Sequence, residues 1–247
     1  MDYFVQLIQK TGLKMVPFIK TVIIYFMLGT FEYENHGKLW STVVKIFPII
    51  SLMIFIFLYG INTSKGHRSR QFLLIGLIFS SIGDILLNID FFPEGMGAFA
   101  VAQIFYISSF GFKPLKPLIG VVLYCIGAAG VSLFYQTLPT ILKFGLPIYG
   151  TLLLTMCWRA LARIAENPFD LKNSPKLACA IGAVLFVISD SLIAFDKFYI
   201  PLSFAPLSIM VTYYAAQFGI TLSIVELDAR SSNKKKINGG KNKLKAQ

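Results

Sequence analysis

The chain has 247 residues, of which 55% are hydrophobic and 14% charged, with a mean hydropathy of +0.68. Soluble domains carry roughly 25% charged residues, so the composition excludes a water-soluble globule and indicates an all-α integral membrane protein. The formal net charge of +11 is no nucleic-acid footprint, because the basic residues collect in alternate connections between apolar runs and form no basic face.

Eight apolar runs approach the roughly 20 residues that a membrane-spanning helix needs. They lie near 14–31, 41–60, 71–89, 95–112, 115–136, 139–162, 175–196 and 203–226. The first follows a short amphipathic lead with no small-residue cleavage site, and reads as a retained helix, not a signal peptide. The runs use nearly the whole chain, so residues 1–228 are expected to form a single eight-span transmembrane domain, and function must sit among the helices. Lys65, Arg68 and Arg70 lie between runs two and three, and Lys113 and Lys116 follow run four. Arg159, Arg163, Lys172 and Lys176 surround the connection after run six, and seven more basic residues follow Glu226. The opposite connections hold Glu32, Glu34, Asp90 and Glu94, with Lys38, Lys143 and Lys197 their sole basic residues. The positive-inside rule then places both termini in the cytoplasm, as an even span count requires.

Residues 229–247 are rich in Lys, Asn and Gly and are expected to form a disordered basic cytoplasmic tail. The tail ends Lys243-Leu244-Lys245-Ala246-Gln247, a K-x-K-x-x pattern of the kind read as an endoplasmic-reticulum retrieval address; a generic basic tail is the alternative. Cys125, Cys157 and Cys179 lie within or at the edges of runs, with no paired spacing and no adjacent His. They are expected to be small packing residues, with no disulfide and no metal site. The sequon Asn62-Thr63-Ser64 falls on the cytoplasmic side of this topology and is discounted.

Two stretches resemble one another at a constant offset of 106 residues. Gly76, Ile82, Asp84, Leu86, Asp90 and Phe92 meet Gly182, Ile188, Asp190, Leu192, Asp196 and Phe198. The offset covers four runs, so runs three and seven point the same way. This predicts two parallel four-helix repeats, 1–113 and 114–228, around an internal cavity.

Each copy carries an aspartate inside an apolar run, Asp84 and Asp190, where a carboxylate is costly and therefore a functional candidate. Ser80, Asp84 and Asn88 stack on one helical face, as do Tyr213, Gln217 and Thr221, with Tyr214 beside them. Gln103 and Tyr106 add a third stripe, and Ser189 and Ser191 flank Asp190. Polar stripes do not face lipid tails, so these are expected to surround the cavity, deepest toward its lumenal half. Singly, Asn88, Gln103, Thr221 and the serines read equally well as interhelical hydrogen bonds. Asp90 and Asp196, at span ends, read as solvated or capping residues, and Lys20 and Lys45 as snorkelling ones.

Two buried carboxyls need not share one charge state, because burial favours the neutral form and a neighbouring carboxylate favours it further. One protonated and one ionised aspartate would equip the site for general-acid chemistry with electrostatic support, without cofactor or metal. Ser/His/Asp catalysis is poorly supported. His36 and His67 fall in connections on opposite sides of the membrane, and neither G-x-S-x-G nor H-E-x-x-H occurs.

Four blocks, F-S-S-I-G-D at Phe79–Asp84, G-M-G-A-F-A-V-A-Q-I-F-Y at Gly95–Tyr106, L-F-V-I-S-D-S-L-I-A at Leu185–Ala194 and T-Y-Y-A-A-Q at Thr212–Gln217, resemble the YhhN family. The animal members of that family are the lysoplasmalogenases, and L-K-M-V-P-F-I-K at Leu13–Lys20 fits as well. The resemblance implies a hydrolase of the endoplasmic-reticulum membrane that cleaves the vinyl ether bond of lysoplasmalogens. Its products would be a fatty aldehyde and glycerophosphoethanolamine or glycerophosphocholine. The resemblance maps the family's aspartates onto Asp84 and Asp190 and its Y-Y-x-x-Q segment onto Tyr213, Tyr214 and Gln217. With the polar stripes this makes Asp84 and Asp190 the catalytic candidates and Ser80, Asn88, Gln103, Tyr106, Tyr213, Tyr214 and Gln217 the substrate-binding ones. One position departs from the pattern: Gln103 stands where His commonly precedes I-x-Y, so a role that needs an imidazole is not carried over. A proton-coupled membrane transporter and a catalytically silent lipid-binding protein suit the same composition and stay open.

Overall fold

A computed structural model describes the backbone of residues 2–29, 37–60, 68–164 and 174–244, with side chains described over 12–29, 37–60, 68–164 and 174–225. Eight helices follow in order: α1 Asp2–Met27, α2 Leu39–Leu58, α3 Arg68–Asn88, α4 Phe92–Phe110, α5 Pro117–Ser132, α6 Thr140–Ala162, α7 Ser174–Phe198 and α8 Ala205–Leu244. A 3-10 turn at Tyr135–Thr137 precedes α6, and no strand occurs among the described residues. Each helix covers one predicted run. Glu32, Glu34, His36, the sequon, Lys65, His67, Lys172 and the last three residues of the retrieval pattern lie outside the described residues.

Among the described residues, five segments are long and apolar enough to cross a membrane by length and composition: α2, α3, α6, α7 and the Ala205–Val225 part of α8. α5 has 16 residues, about 24 Å at 1.5 Å per residue, which is shorter than a hydrocarbon core of about 30 Å. The backbone of α8 continues to Leu244, through the basic stretch whose composition predicts disorder. Extending a helix that packing has already nucleated requires no second nucleation.

Glycines set the two closest helix pairs. Gly76 and Gly83 lie seven residues apart on one face of α3, under the rings of Tyr106 and Phe99 from α4; a Cβ on Gly83 would come within 2.6 Å of the Phe99 ring. α7 and α8 meet backbone to backbone, since a Cβ on Gly182 would lie 2.7 Å from the Ala216 carbonyl oxygen and 3.0 Å from Gly219 Cα. Small residues at crossings permit this close approach in a bilayer. α2 packs on α1, α3 and α8, while α6 joins α4, α5 and α7.

Ile49, Leu52, Phe55, Leu77 and Phe186 are buried between helices, whereas Ile54, Phe57, Leu118, Phe144 and Ile148 are exposed, as lipid-facing residues are. A second apolar cluster of Phe134, Leu138, Leu142 and Leu146 packs against Phe92, Met96, Phe195 and Phe198. Thr137 donates to the Phe198 carbonyl at 2.9 Å, so the α5–α6 connection is tied over the end of α7.

Two basic residues read from sequence as topological signals also satisfy helix ends. Arg70 Nη1 donates to the carbonyls of Tyr59 and Gly60, both at 3.0 Å. Arg159 Nε donates to Gly111 O at 2.8 Å and its Nη1 to Leu115 O at 3.3 Å. Both arginines are fully buried; they supply donors to the carbonyls of Tyr59, Gly60 and Gly111 just past the ends of α2 and α4, and Arg159 also reaches Leu115 in the α4–α5 connection. Asp196 Oδ1 accepts the Leu202 N–H at 2.7 Å, the capping role expected of it, and Asp90 is exposed at the α3–α4 turn with φ 65°. Cys157 and Cys179 are buried, but Cys125 is exposed on α5, outside the packed interior predicted for it.

Candidate active site

The helical repeat directs Asp84 from α3 inward toward α8, where it is almost completely buried. Tyr213 donates its hydroxyl hydrogen to Asp84 Oδ2 at 2.6 Å, and Lys45 Nζ approaches Asp84 Oδ1 at 3.9 Å. Lys45 comes from α2 and is buried, not snorkelling, because α8 lies over it: the Tyr214 hydroxyl donates to the Lys45 carbonyl at 2.8 Å. Removing one member of a buried ion pair typically costs about 3–5 kcal/mol, since the other charge loses its compensation. Lys45 and Asp84 are bound to one another by that asymmetry.

Behind Tyr213 runs a chain of buried hydroxyl and amide groups. Gln217 Nε2 donates to the Tyr213 hydroxyl at 3.3 Å, and Gln217 Oε1 accepts from the Tyr106 hydroxyl at 2.9 Å. Ser80 Oγ lies 3.0 Å from the same Tyr106 oxygen. The chain links α3, α4 and α8 and fixes the Tyr213 hydroxyl toward Asp84, as a satisfied polar network does in a low-dielectric interior.

Asp190 has a separate partner. The Tyr149 hydroxyl of α6 donates to Asp190 Oδ2. Gln103 is fully buried beside that hydroxyl. Both aspartates line one cavity. Lys45, Tyr149 and Tyr213 share that cavity, and its remaining walls are chiefly apolar, with Leu87, Phe99, Leu146 and Met210 among them.

The residues singled out from the sequence divide into three groups. Asp84, Asp190 and Tyr213 reach the cavity. Ser80, Tyr106 and Gln217 stand behind it in the hydrogen-bond chain, with Gln103 beside Tyr149. Asn88 and Tyr214 are turned to α2: Asn88 Nδ2 donates to Thr42 Oγ1 at 2.7 Å and to Ser41 Oγ at 3.3 Å. Lys45 and Tyr149 were not among the candidates. A signal for both was available, because they precede Asp84 and Asp190 by 39 and 41 residues, nearly equivalent positions in the two predicted four-helix repeats. Among the described residues no three His, Cys, Asp or Glu side chains cluster to hold a metal ion.

Comparison with known proteins gives a consistent set of relatives. The YhhN family matches residues 40–224. The chain is 34% identical to lysoplasmalogenase TMEM86A of Homo sapiens over 226 residues, covering 90% of this chain and 92% of that protein. It is 37% identical to lysoplasmalogenase TMEM86B of Homo sapiens over 210 residues, 84% of each. A lysoplasmalogenase of Mycobacterium tuberculosis is 29% identical over 174 residues, 62% of this chain and 60% of that protein. No solved structure matches the chain.

Proposed function

Because the chain belongs to the YhhN family, we propose that it is a membrane lysoplasmalogenase that hydrolyses the vinyl ether bond of a lysoplasmalogen by aspartate general-acid catalysis. The observation that carries this reading is the convergence of Asp84 and Asp190 on one largely apolar cavity. A vinyl ether is hydrolysed by protonation of its β-carbon. The resulting oxocarbenium ion captures water, and the hemiacetal collapses to an aldehyde and an alcohol. One carboxylic acid supplies the proton, and the other carboxylate stabilises the cation and receives a proton from the attacking water, by analogy with the carboxylate pair of glycosidases. The products are a fatty aldehyde and glycerophosphoethanolamine or glycerophosphocholine. Tyr213 orients Asp84 and Tyr149 orients Asp190, while the Ser80–Tyr106–Gln217 chain holds Tyr213 in place. Uninterrupted α3 and α7, with no proline beyond the first turn, weigh against the broken helices of a transporter.

The same reading includes the architecture around the site. The chain inserts as eight spans in two four-helix repeats, 1–113 and 114–228, in the endoplasmic-reticulum membrane with both termini in the cytoplasm. The pairing of α3 with α4 and of α7 with α8, and the Lys45–Asp84 and Tyr149–Asp190 contacts at nearly equivalent positions, support the repeat.

The test is aldehyde release by purified protein from a lysoplasmalogen and from its saturated alkyl-ether analogue. Release occurs from the first alone, and Asp84→Asn or Asp190→Asn each lowers it by about 10²-fold or more, the scale of a general acid–base contribution. Retention of most activity in both single variants refutes the scheme.

A further inference from the structure

The cavity that holds the two aspartates adjoins a larger space that the reaction scheme leaves unused. It lies between α5, α6 and α7 and has a cavity volume of about 910 Å³, toward the upper end of the roughly 300–1,000 Å³ of ordinary small-molecule sites. Leu123, Ile126, Val131, Leu154 and Val187 are among its apolar walls. The space exists because α5 is held to α6 along one side only. Tyr124 bonds Thr155 at 2.7 Å, and Gly120 is the sole buried residue of α5. Gly130 and Gly150 leave the space unfilled, since a Cβ at either would meet nothing within 4 Å. Leu146, Tyr149, Asp190 and Ala194 line both the groove and the polar cavity, whereas Lys45, Asp84 and Tyr213 line only the latter.

We infer that this groove holds the single hydrocarbon chain of the lysolipid, which enters the polar cavity past Asp190, so that Asp190 delivers the proton and Asp84 is the carboxylate facing the oxygen end. The inference rests on the enol-ether hydrolysis proposed above. An amphiphile with one chain puts its apolar part where water is absent and its glycerophosphate end near polar groups. Here the polar groups are Lys45, Asp84 and Tyr213, and the apolar space begins on the other side of Asp190. In an enol ether the β-carbon lies toward the chain and the oxygen toward glycerol, so the β-carbon meets Asp190. The hydrogen bonds agree with this order. Both oxygens of Asp84 face a donor, Tyr213 and Lys45, which suits an anion. Asp190 is bonded by Tyr149 through Oδ2, leaving Oδ1 to carry the proton.

The steps then balance. The Asp190 proton bonds to the β-carbon at the expense of the C=C π pair, leaving the cation on the α-carbon and oxygen. Water adds to the α-carbon and gives a proton to Asp84. The bond from the hemiacetal carbon to the glycerol oxygen breaks, that oxygen takes the proton from Asp84, and the hemiacetal hydroxyl returns its proton to Asp190. The sum is lysolipid plus water giving aldehyde plus glycerophospho-alcohol.

Three measurements decide it. A saturated alkyl-ether lysophosphoethanolamine with a diazirine at the chain end is expected to label α5 and α6 peptides around Leu123–Val131 and Gly150–Leu154. Labelling confined to other helices, or abolished equally well by a diacyl phospholipid, overturns the groove assignment. Gly150→Leu fills the groove and is expected to lower the ratio of hexadecenyl to octenyl kcat/KM by about 10-fold, the order of discrimination available to an apolar pocket; an unchanged ratio overturns it. A lysolipid with a secondary ammonium in place of the vinyl ether mimics the cation. Its displacement of the photoprobe is expected to weaken about 10-fold more in Asp84→Asn than in Asp190→Asn, the opposite ranking reversing the acid assignment, as one lost charge contact of about 1.4 kcal/mol gives. Labelling and displacement need no turnover, so a protein that releases no aldehyde from any alkenyl lysolipid would sink the hydrolase reading while leaving the groove result legible.

Discussion

Tyr213→Phe isolates the hydroxyl that links Asp84 to the buried polar chain. The substitution keeps the ring, whose edge-on contacts to Phe99 and Phe186 have centroid separations of 6.0 and 5.7 Å, and removes two hydrogen bonds. The bond to Asp84 Oδ2 is short, at 2.6 Å, and the one from Gln217 Nε2 is long, at 3.3 Å, so the loss is dominated by the former. A hydrogen bond to a charged group contributes about 1.5–3 kcal/mol. If Asp84 acts in the transition state and Tyr213 orients it, that range corresponds to a fall in kcat of roughly 10- to 150-fold. The assay is aldehyde release followed with an aldehyde dehydrogenase, with kcat and KM determined separately. kcat is expected to carry the loss, because Tyr213 acts through the carboxylate. Thermal stability in detergent supplies the control: Tyr213→Phe destabilises the native protein but costs much less in an Asp84→Asn background, as coupled neighbours do. A kcat within about twofold of the native value, against the range expected from the hydrogen bond, would falsify the placement of Asp84 in the reacting cavity.

The remaining predictions separate packing from chemistry. Gly182→Ala puts a methyl 2.7 Å from the Ala216 carbonyl and 2.9 Å from Ile220 N, both backbone atoms that cannot turn aside. It is expected to lower stability by about 1–3 kcal/mol, the usual cost of overpacking. Gly97→Ala, whose Cβ meets nothing within 4 Å, is the matched control and leaves the melting temperature unchanged or higher; equal melting temperatures for the two variants would contradict the close α7–α8 crossing. Asn88→Ala removes two buried hydrogen bonds to Ser41 and Thr42, whose hydroxyls keep their own bonds to the Lys38 carbonyl, and is expected to destabilise by about 0.5–1.5 kcal/mol while kcat/KM per folded molecule stays close to native. A selective rise in KM with no change in stability would return Asn88 to the substrate-binding set.

How much of this was legible beforehand depends on the range of the interaction. Each apolar run contains its own helical hydrogen bonds, so eight helices could be read from periodicity and length alone. The aspartates were legible for the same local reason: a carboxyl within an apolar run stands out wherever the helix packs. The burial of Lys45 was not, because a lysine near the end of a run reaches water unless another helix covers it, and the helix that does, α8, lies about 170 residues further along the chain. Tyr149 looked like any aromatic of a span until α6 set it against Asp190. Asn88 shares a face with Ser80 and Asp84, yet at the last turn of α3 the nearest neighbour is α2, so its amide bonds Ser41 and Thr42 and not the cavity. The fifth run, 115–136, is longer than its helix, since apolar composition continues into connecting turns where α5 does not.

The sequence by itself determined that this is a helical membrane protein, which helices carry acid, and which family its motifs resemble, because these follow from composition and from spacing within single segments. Only the tertiary structure decided that the two carboxyls face one cavity, that one is paired with a lysine and the other with a tyrosine, and that an apolar groove meets them on the Asp190 side. Those relations join side chains from α2, α3, α6, α7 and α8 through contacts between segments distant in the chain, such as the close α7–α8 crossing at Gly182 and Gly219; no pattern within one segment contains that information.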